Sequence, residues 1–289
     1  MGKNISFFKG FVSLALTCAS VITATSCSSG GNIENGGTKS HVVVAGSTSV
    51  QPYMEVLAEE YVKFYPDSAV DVQGGGSSAG ISAVGSGIAD IGMSSRSLSE
   101  SEVELYQFTT IAKDGLALIV HPENPVDNLT LEQIRDIYTG EITDWSQVSD
   151  QFEGDIFPIT REEGSGTRSF FEEFVMDGQR ITSKAIVQST NGTIRTLVSG
   201  NARGNKQAIG FISLGVLELP GQNPVKGLQI GGVAPTTENL ANGSYELFRP
   251  FLVVVGEERE ESTHFIDFIL SDTGQGLLEA RGLVRIDGG

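Results

Sequence analysis

The segment from Arg161 to Thr167 has the composition of an anion-binding turn. It reads Arg-Glu-Glu-Gly-Ser-Gly-Thr and lies between the apolar stretch 156–159 and a helix-like stretch at 168–175. The first turn of such a helix has backbone N–H groups without intrahelical partners and carries about half a positive charge. One guanidinium and two hydroxyls lie beside these donors. The alternative for this segment taken alone is a Gly/Ser connector that binds nothing.

Two other segments repeat this order of strand, glycine-rich turn and helix. Apolar residues 42–45 are followed by Gly46-Ser47-Thr48-Ser49. The alternating segment 69–73 is followed by a turn that includes Gly76-Ser77-Ser78-Ala79-Gly80. Glycine permits close approach of the backbone, and each hydroxyl can donate one hydrogen bond. If the three turns converge, they could surround a tetrahedral oxyanion; the alternative is that the hydroxyls are ordinary helix caps.

Strand-like and helix-like segments alternate along the rest of the chain. Buried strands are predicted at 116–120, 209–212 and 251–255. Thr130 and Gln133 predict a capping box at the start of a helix. This alternation predicts an α/β architecture with mainly parallel sheets. In such sheets ligands collect at the carboxyl ends of strands, so the three turns lie where a ligand is expected.

The amino terminus has the features of an export signal. A short basic region with two lysines precedes an apolar core at 11–22. This core is too short to span a bilayer as a helix, so residues 1–26 are predicted to be a signal peptide. The small residues before Cys27 resemble the lipobox of bacterial lipoproteins, in which cleavage leaves that cysteine first and its thiol acylated. Cys18 is an alternative lipidation site.

The mature chain is predicted to be a body held on the outer face of the cell membrane by its lipid alone. Residues 27–40, rich in Gly, Ser and Asn, are predicted to be a flexible tether. Because neither cysteine lies beyond residue 27, the body has no thiol for a disulfide or a metal. The three histidines are far apart in sequence and no calcium-loop spacing occurs, so no metal or cofactor is predicted.

The charge of the chain argues against one class of partner. Without residues 1–26 the chain keeps 17 basic residues against 36 acidic ones, a net charge of −19. Nucleic acid and anionic lipid bind proteins that neutralise phosphates with many cations, which this surface does not offer. A small buried anion is still compatible, because charges beyond about 8 Å are screened at physiological salt. The length after the tether suits one large domain or two lobes.

Further motifs extend along nearly the whole mature chain. They are Ala89 to Arg96, Asp114 to Ala117, Thr139 to Trp145, Ala208 to Phe211 and Phe265 to Leu270. Together with the three turns, they resemble the phosphate-binding proteins of bacterial phosphate ABC importers, the PstS family of periplasmic-type binding proteins. The resemblance implies two lobes that close by a hinge, lobe 1 at 41–118 plus 247–289 and lobe 2 at 119–246. It also implies a monomer without catalytic activity that delivers inorganic phosphate to the permease subunits of an ABC transporter.

The resemblance also assigns the phosphate contacts residue by residue. Lobe 1 would supply the hydroxyl of Thr48, the amide of Ser49 and the hydroxyl of Ser77. Lobe 2 would supply the remaining donors, which are Arg161, Ser165, Gly166 and Thr167.

One position departs from the best-known members of this family, in which an aspartate accepts the proton of bound phosphate and repels sulfate. Here Ser95, followed by Arg96, occupies the matching place. Ser95 can accept a hydrogen bond from a protonated ligand oxygen, whereas Arg96 can only donate. The hypothesis is that Arg96 adds a second charge contact to the ligand. The alternative is a surface arginine paired with Glu100 or Glu102.

Other interpretations stay open at this point. The ligand could be another tetrahedral oxyanion such as sulfate, molybdate or arsenate, or the protein could be a phosphate sensor that feeds no transporter. Gly76 to Gly80 also fits the nucleophile elbow of serine hydrolases, with Ser78 as nucleophile and His264 downstream, the weakest alternative. Asn191, at the start of a predicted helix, could be a cap or a contact in the cleft. Asp114 has no paired acid in view, which favours a structural or solvated role.

Overall fold

The computed structural model describes residues 40–200, 206–219, 222–257 and 259–286. The predicted signal peptide, Cys27 and the tether up to residue 39 lie outside the described residues. Within the described ranges, no helix combines the length and the apolar composition that a bilayer crossing requires.

The strands of the described chain form one large sheet and one small one. In chain order they are β1 Ser40–Gly46, β2 Ser68–Gly74, β3 Ile91–Ser94, β4 Gln107–Val120, β5 Asn128–Leu129, β6 Phe157–Arg161, β7 Ile186–Gln188, β8 Ala208–Ser213, β9 Lys226–Gly227, β10 Gln229–Ile230 and β11 Phe248–Val255. The large sheet has the order β2-β1-β3-β11-β4-β8-β6-β7, with β9 paired to β4, and β10 pairs with β5 in the small sheet.

The large sheet is parallel at its two ends and antiparallel in its middle. β1 pairs in parallel with β2 and β3, and β6 pairs in parallel with β7 and β8. Between these ends, β4 and β11 run antiparallel to each other, and also to β8 and β3 respectively. The mainly parallel sheet expected from the sequence is therefore a mixed sheet, because β4 and β11 run against the strands beside them.

Helices cover the sheet, and those predicted after the three turns and after Thr130 are confirmed. They are α1 Gln51–Phe64, α2 Ser77–Gly85, α3 Glu100–Leu105, α4 Leu131–Thr139, α5 Gly166–Phe174, α6 Asn191–Ser199, α7 Leu214–Glu218, α8 Thr237–Ala241, α9 Glu260–Leu270 and α10 Asp272–Glu279, with a 3-10 turn at Trp145–Gln147. The predicted capping box of Thr130 and Gln133 is confirmed at the start of α4. That helix ends at Gly140, which has the left-handed backbone (φ 90°) that glycine adopts without strain.

Strand β4 connects two separate hydrophobic regions. Ile111 and Ala112, in its first part, belong to a core that β1, β3 and β11 build with α1 and α9. Further along, side chains alternate between the two faces of the sheet: Leu116 and Leu118 pack in one cluster, and Ala117 packs in another. The stretch of β4 from residue 113 to 115 therefore lies between the cores of the two halves.

Candidate anion-binding site

The three glycine-rich turns meet at one place in the structure. The hydroxyl oxygens of Ser49, in the first turn, and Thr167, in the third, are 2.8 Å apart. The amide of Ser78, in the second turn, donates to the carbonyl of Gly164, in the third, at 3.1 Å. The structure thus brings the third turn against the first two, which precede it by more than 80 residues in sequence, as expected for an oxyanion site.

The hydroxyls at this place are enclosed by protein. Ser49, Ser77 and Ser95 are 0–1% exposed, and Ser165 and Thr167 are each 1% exposed. Thr48 is half-buried. Buried hydroxyls require hydrogen-bond partners, because leaving a polar group unpaired away from water costs about 1–3 kcal/mol. A ligand that accepts hydrogen bonds would satisfy donors in such an enclosure.

Gly166 allows the turns to approach this closely. A Cβ at this position would collide with the hydroxyls of Ser77 and Ser95. The backbone of the third turn therefore lies directly against the second turn and the end of β3. Glycine is required here by the close approach of neighbouring atoms.

Most of these hydroxyls do not act as helix caps. No side-chain cap is present on α1, whose N-cap is Val50, or on α2, whose N-cap is Gly76. Ser165 is the exception, since its hydroxyl caps α5 by accepting from the amide of Arg168 at 3.3 Å. The capping alternative thus applies to Ser165, and the hydroxyls of the other two turns are available for other partners.

On the lobe 1 side, the hydroxyls form a short hydrogen-bonded chain. Ser47 donates from its hydroxyl to that of Ser95 at 2.8 Å and accepts from the amide of Ser49 at 3.2 Å. The hydroxyl of Ser77 accepts from the amide of Ser95 at 3.1 Å. Ser47 was missed as a site residue, although it lies inside the first glycine-rich turn. The amide of Ser49, predicted to contact the ligand, donates within the protein in this structure.

Arg161, the last residue of β6, places a guanidinium at this cluster. Its Nε and Nη2 each donate to the carboxylate of Glu162 at 2.8 Å. Nη2 also donates to the hydroxyl of Thr48 and to the carbonyl of Ser189, both at 3.1 Å. The side chain is 1% exposed, and Nη1 has no hydrogen-bond partner among the described residues. This arginine therefore keeps donors for a further acceptor in a place closed to solvent.

The direction of the hydrogen bonds at Ser49 leaves Thr167 free to donate. The hydroxyl of Ser49 accepts from Nδ2 of Asn191 at 3.0 Å and from Nη2 of Arg249 at 3.2 Å. The amide of Ser213 donates to Oδ1 of Asn191, which fixes the orientation of this side chain. Because both lone pairs of the Ser49 oxygen are used, its hydrogen must point to Thr167. The hydroxyl of Thr167 then accepts from Ser49 and directs its own hydrogen elsewhere.

A second buried guanidinium, Arg249 on β11, adjoins the same hydroxyls. Arg249 is directly opposite Asp114 in the antiparallel pairing of β11 with β4. Its Nε and Nη2 donate to Oδ2 of Asp114 at 3.2 and 3.0 Å, and both side chains are 0% exposed. Arg249 was not predicted from the sequence, and Asp114 was predicted to be structural or solvated. The available signal was a lone arginine in an apolar strand, since buried charges almost always have partners.

Burial shifts the pKa values of this ion pair in opposite directions. Burial raises the pKa of the Asp114 carboxyl, and the charge of Arg249 and hydrogen bonds from Gly215 and Ser213 oppose the rise. Burial lowers the pKa of the Arg249 guanidinium, an effect that Asp114 opposes and the charge of Arg161 reinforces. The two guanidiniums thus act on each other within one enclosed region.

The family of the chain follows from comparison with known proteins. A family model described as PBP superfamily domain matches residues 32–273. The chain belongs to the PBP superfamily. Among its relatives is the phosphate-binding protein PstS of Borreliella burgdorferi, which is 29% identical over 265 residues, or 88% of this chain and 93% of the relative.

Two solved structures are similar to this PBP-superfamily protein along most of its length. A substrate-binding protein from Clostridium perfringens, assigned to a phosphate ABC transporter and solved with bound phosphate, is 40% identical. Its TM-score is 0.78, and the match covers 86% of this chain and 100% of that one. An ABC-type phosphate transport receptor from Vibrio cholerae is also 40% identical, with a TM-score of 0.68 and coverage of 85% and 100%. The predicted α/β fold of the periplasmic-binding-protein type is confirmed.

The guanidinium of Arg96 in this PBP-superfamily protein is paired with a glutamate. Its Nη1 and Nη2 donate to the carboxylate of Glu102 at 2.7 and 2.8 Å, and Nη1 also donates to the carbonyl of Ser97. Glu102 is fixed in turn by the amide of Ser99, in the capping box of α3. The Arg96 guanidinium and hydrogen bonds from Ser99 together lower the pKa of Glu102 to about 2. The geometry corresponds to the alternative of pairing with Glu102, and gives no support to a ligand contact.

The same contacts bear on two further alternatives, those for Asn191 and for Ser78. Asn191 contacts the hydroxyl of Ser49, while Thr190 caps α6. Asn191 is therefore a residue of the cluster rather than a cap. The hydroxyl of Ser78 accepts from Nη2 of Arg96 at 3.4 Å, whereas His264 lines a surface pocket with residues of α1 and α9. The relatives are substrate-binding proteins, and this PBP-superfamily protein is not an enzyme.

Proposed function

We propose that this protein captures inorganic phosphate at the meeting point of the three turns and delivers it to an ABC transporter. The observation that carries the proposal is the buried, unpaired Nη1 of Arg161, whose guanidinium adjoins the buried hydroxyls of the three turns. A tetrahedral oxyanion presents acceptors in all directions, so it suits an enclosure of donors supplied by separate turns. The phosphate-bound relative from Clostridium perfringens supports phosphate as the ligand.

The binding cleft is proposed to lie between two lobes. Lobe 1 comprises 41–118 plus 247–289, and lobe 2 comprises 119–246. Support comes from the separate cores on either side of the middle of β4, and from the first and second turns facing the third. Lobe 1 would contribute Thr48, Ser49, Ser77 and Ser95, and lobe 2 would contribute Arg161, Ser165, Gly166 and Thr167.

The mature protein is proposed to be a monomer tethered outside the cell membrane. Residues 1–26 would be removed as a signal peptide, Cys27 would carry the lipid, and 27–40 would be the tether. The named relatives are binding proteins of importers, which work outside the cytoplasm. Mass spectrometry of the exported protein tests this: a diacylglycerol-modified Cys27 as first residue is expected, and an unmodified terminus at another position would contradict it.

The choice of ligand is tested by calorimetry. The exported protein is measured in detergent, after unfolding and refolding have removed any retained ligand. Three or four charge-assisted hydrogen bonds of roughly 1.5–3 kcal/mol each suffice for micromolar binding, about −8 kcal/mol. Phosphate is expected to bind at least this tightly, and more tightly than sulfate or molybdate between pH 5 and 8. Tighter binding of sulfate would contradict phosphate capture. Co-purification of permease subunits separates a transport role from a sensor.

A further inference from the structure

Arg249 and Asp114 form the only ion pair of the described residues whose two side chains are both fully buried. We propose that Arg249 donates a second guanidinium contact to the bound phosphate and that Asp114 holds it in position. This inference rests on the proposed phosphate-binding function. It assigns to β11 the second cationic contact that sequence analysis had placed at Arg96.

Asp114 is fully occupied by groups that fix its orientation. Its Oδ1 accepts from the hydroxyl of Ser213 at 2.9 Å and from the amide of Gly215 at 3.2 Å. Its Oδ2 accepts both bonds from Arg249. A carboxylate held from two sides holds the planar guanidinium in one orientation, since the geometry of an arginine–carboxylate pair is specific. Asp114 therefore acts as a positioning residue.

One nitrogen of the Arg249 guanidinium is left without an acceptor among the described residues. Nε and Nη2 are used by Asp114 and Ser49, while Nη1 has no hydrogen-bond partner among the residues described. Arg161 has the same pattern, with Nη1 again the unpaired nitrogen. Among the described residues, these two are the only guanidinium nitrogens that are both buried and without a hydrogen-bond partner.

The two arginines hold consecutive residues of the first turn. Arg161 donates to the hydroxyl of Thr48, and Arg249 donates to the hydroxyl of Ser49. Ser49 in turn contacts Thr167 at 2.8 Å. Both guanidiniums therefore border the cluster from different strands, β6 in one half of the sheet and β11 in its middle. Two enclosed cations repel each other, and a divalent anion that accepts from both removes that repulsion.

Arg195 on α6 shows what a purely structural buried arginine is like in this protein. It is 5% exposed, and its donors go to the backbone carbonyls of Asn223, Val216 and Leu217. It has no carboxylate partner among the described contacts and does not touch the hydroxyl cluster. Arg195→Met is therefore the matched control for changes at Arg249.

The test uses the paired variant Arg249→Met with Asp114→Asn, which leaves no uncompensated charge in the core. Loss of one or two charge-assisted hydrogen bonds predicts phosphate binding weakened roughly 10- to 100-fold in calorimetry on the exported protein. Arg195→Met is expected to bind phosphate as the unchanged protein does. An affinity within threefold of the unchanged protein in the paired variant would overturn the proposal.

A second measurement keeps the proposal testable if the paired variant does not fold. In protein labelled with 15N-arginine, phosphate is expected to shift the side-chain N–H signals of Arg249, assigned with Arg249→Lys, and to leave those of Arg195 in place. Unshifted Arg249 signals at saturating phosphate would refute the contact. If the unchanged protein binds no phosphate, the proposed function fails instead, so the two failures are distinguishable.

Discussion

Arg161 and Arg96 form the same kind of ion pair in two different parts of the molecule. Each donates two hydrogen bonds to a glutamate, Arg161 to Glu162 and Arg96 to Glu102, at 2.7–2.8 Å. The Arg161 side chain is 1% exposed and that of Arg96 is 16% exposed. Of these two arginines, only Arg161 has a buried nitrogen without a hydrogen-bond partner among the described residues.

The difference shows that ion pairing alone does not mark a ligand-binding arginine. Glu102 belongs to the capping box of α3, so the Arg96 pair is part of local structure at a helix start. Glu162 pairs only with Nε and Nη2 of Arg161, and Nη2 also donates to the hydroxyl of Thr48. An enclosed donor without a partner is costly unless a ligand supplies the acceptor.

The largest effect is expected for Arg161→Ala. The anion would keep its cost of desolvation and lose a buried cationic partner, while Glu162 would lose its counter-ion. Phosphate binding should weaken by about 3–5 kcal/mol, the cost typical of breaking a buried charge pair on one side. Isothermal titration with phosphate measures this. Affinity close to that of the unchanged protein would show that the anion binds elsewhere.

A smaller loss is expected for Thr167→Val, which removes a hydroxyl at nearly constant volume. Because Thr167 accepts from Ser49, its own hydrogen is available to the anion, and loss of this bond should cost roughly 1.5–3 kcal/mol of binding. Thr160→Val is the matched control. Thr160 is also buried, but successive strand side chains face opposite ways, so it points away from Arg161. Equal affinity losses in both variants would contradict the assigned donor.

The smallest effect on binding is expected for Arg96→Ala, with phosphate affinity changed less than about threefold, because both terminal nitrogens of Arg96 donate to Glu102. The main effect of this substitution is expected on the stability of the fold. Arg96, together with hydrogen bonds from Ser99, lowers the pKa of Glu102 from 4.5 to about 2, so ionised Glu102 stabilises the fold at neutral pH. Allowing for solvent screening, the unchanged protein should exceed the variant by about 1 kcal/mol in free energy of unfolding at pH 7.

This difference should disappear as pH falls from about 4.5 to about 2, because Glu102 then becomes protonated in both proteins. Urea unfolding at a series of pH values measures it. A difference that stays constant down to pH 2 would mean that Arg96 stabilises the fold through packing. A large loss of phosphate affinity would restore Arg96 as a ligand contact.

The sequence was sufficient to locate the parts of the site that lie in local motifs. Arg161 and Thr167 are six positions apart, and the first two turns carry the same Gly/Ser signature, so strand–turn–helix order predicted them. Arg249 lies 135 positions from Asp114, next to a proline in an otherwise apolar strand. Only the antiparallel register of β11 with β4 brings this pair together, and such a register has no local signal.

The fold, like the site, could be predicted from the sequence only in part. The helices after the three turns and after Thr130 were found, as were the buried strands at 116–120, 209–212 and 251–255, because periodicity and capping are properties of neighbouring residues. The capped helix α3 and the buried strand β3 were not predicted. The first part of β4 was missed, since Thr109, Thr110 and Lys113 do not look like a buried strand. Its place is set by β11, which arrives from the far end of the chain. The mixed middle of the sheet was missed for the same reason.

Gly166 has a consequence for how this protein can vary. It contributes no side chain, yet an added methyl group would meet the hydroxyls of Ser77 and Ser95. Substitution there forces neighbouring backbones apart and disturbs donors from two turns at once. In a growth selection under phosphate limitation, Gly166 should tolerate as few replacements as Arg161. Alanine, usually the mildest substitution, should be nearly as harmful there as a charged residue.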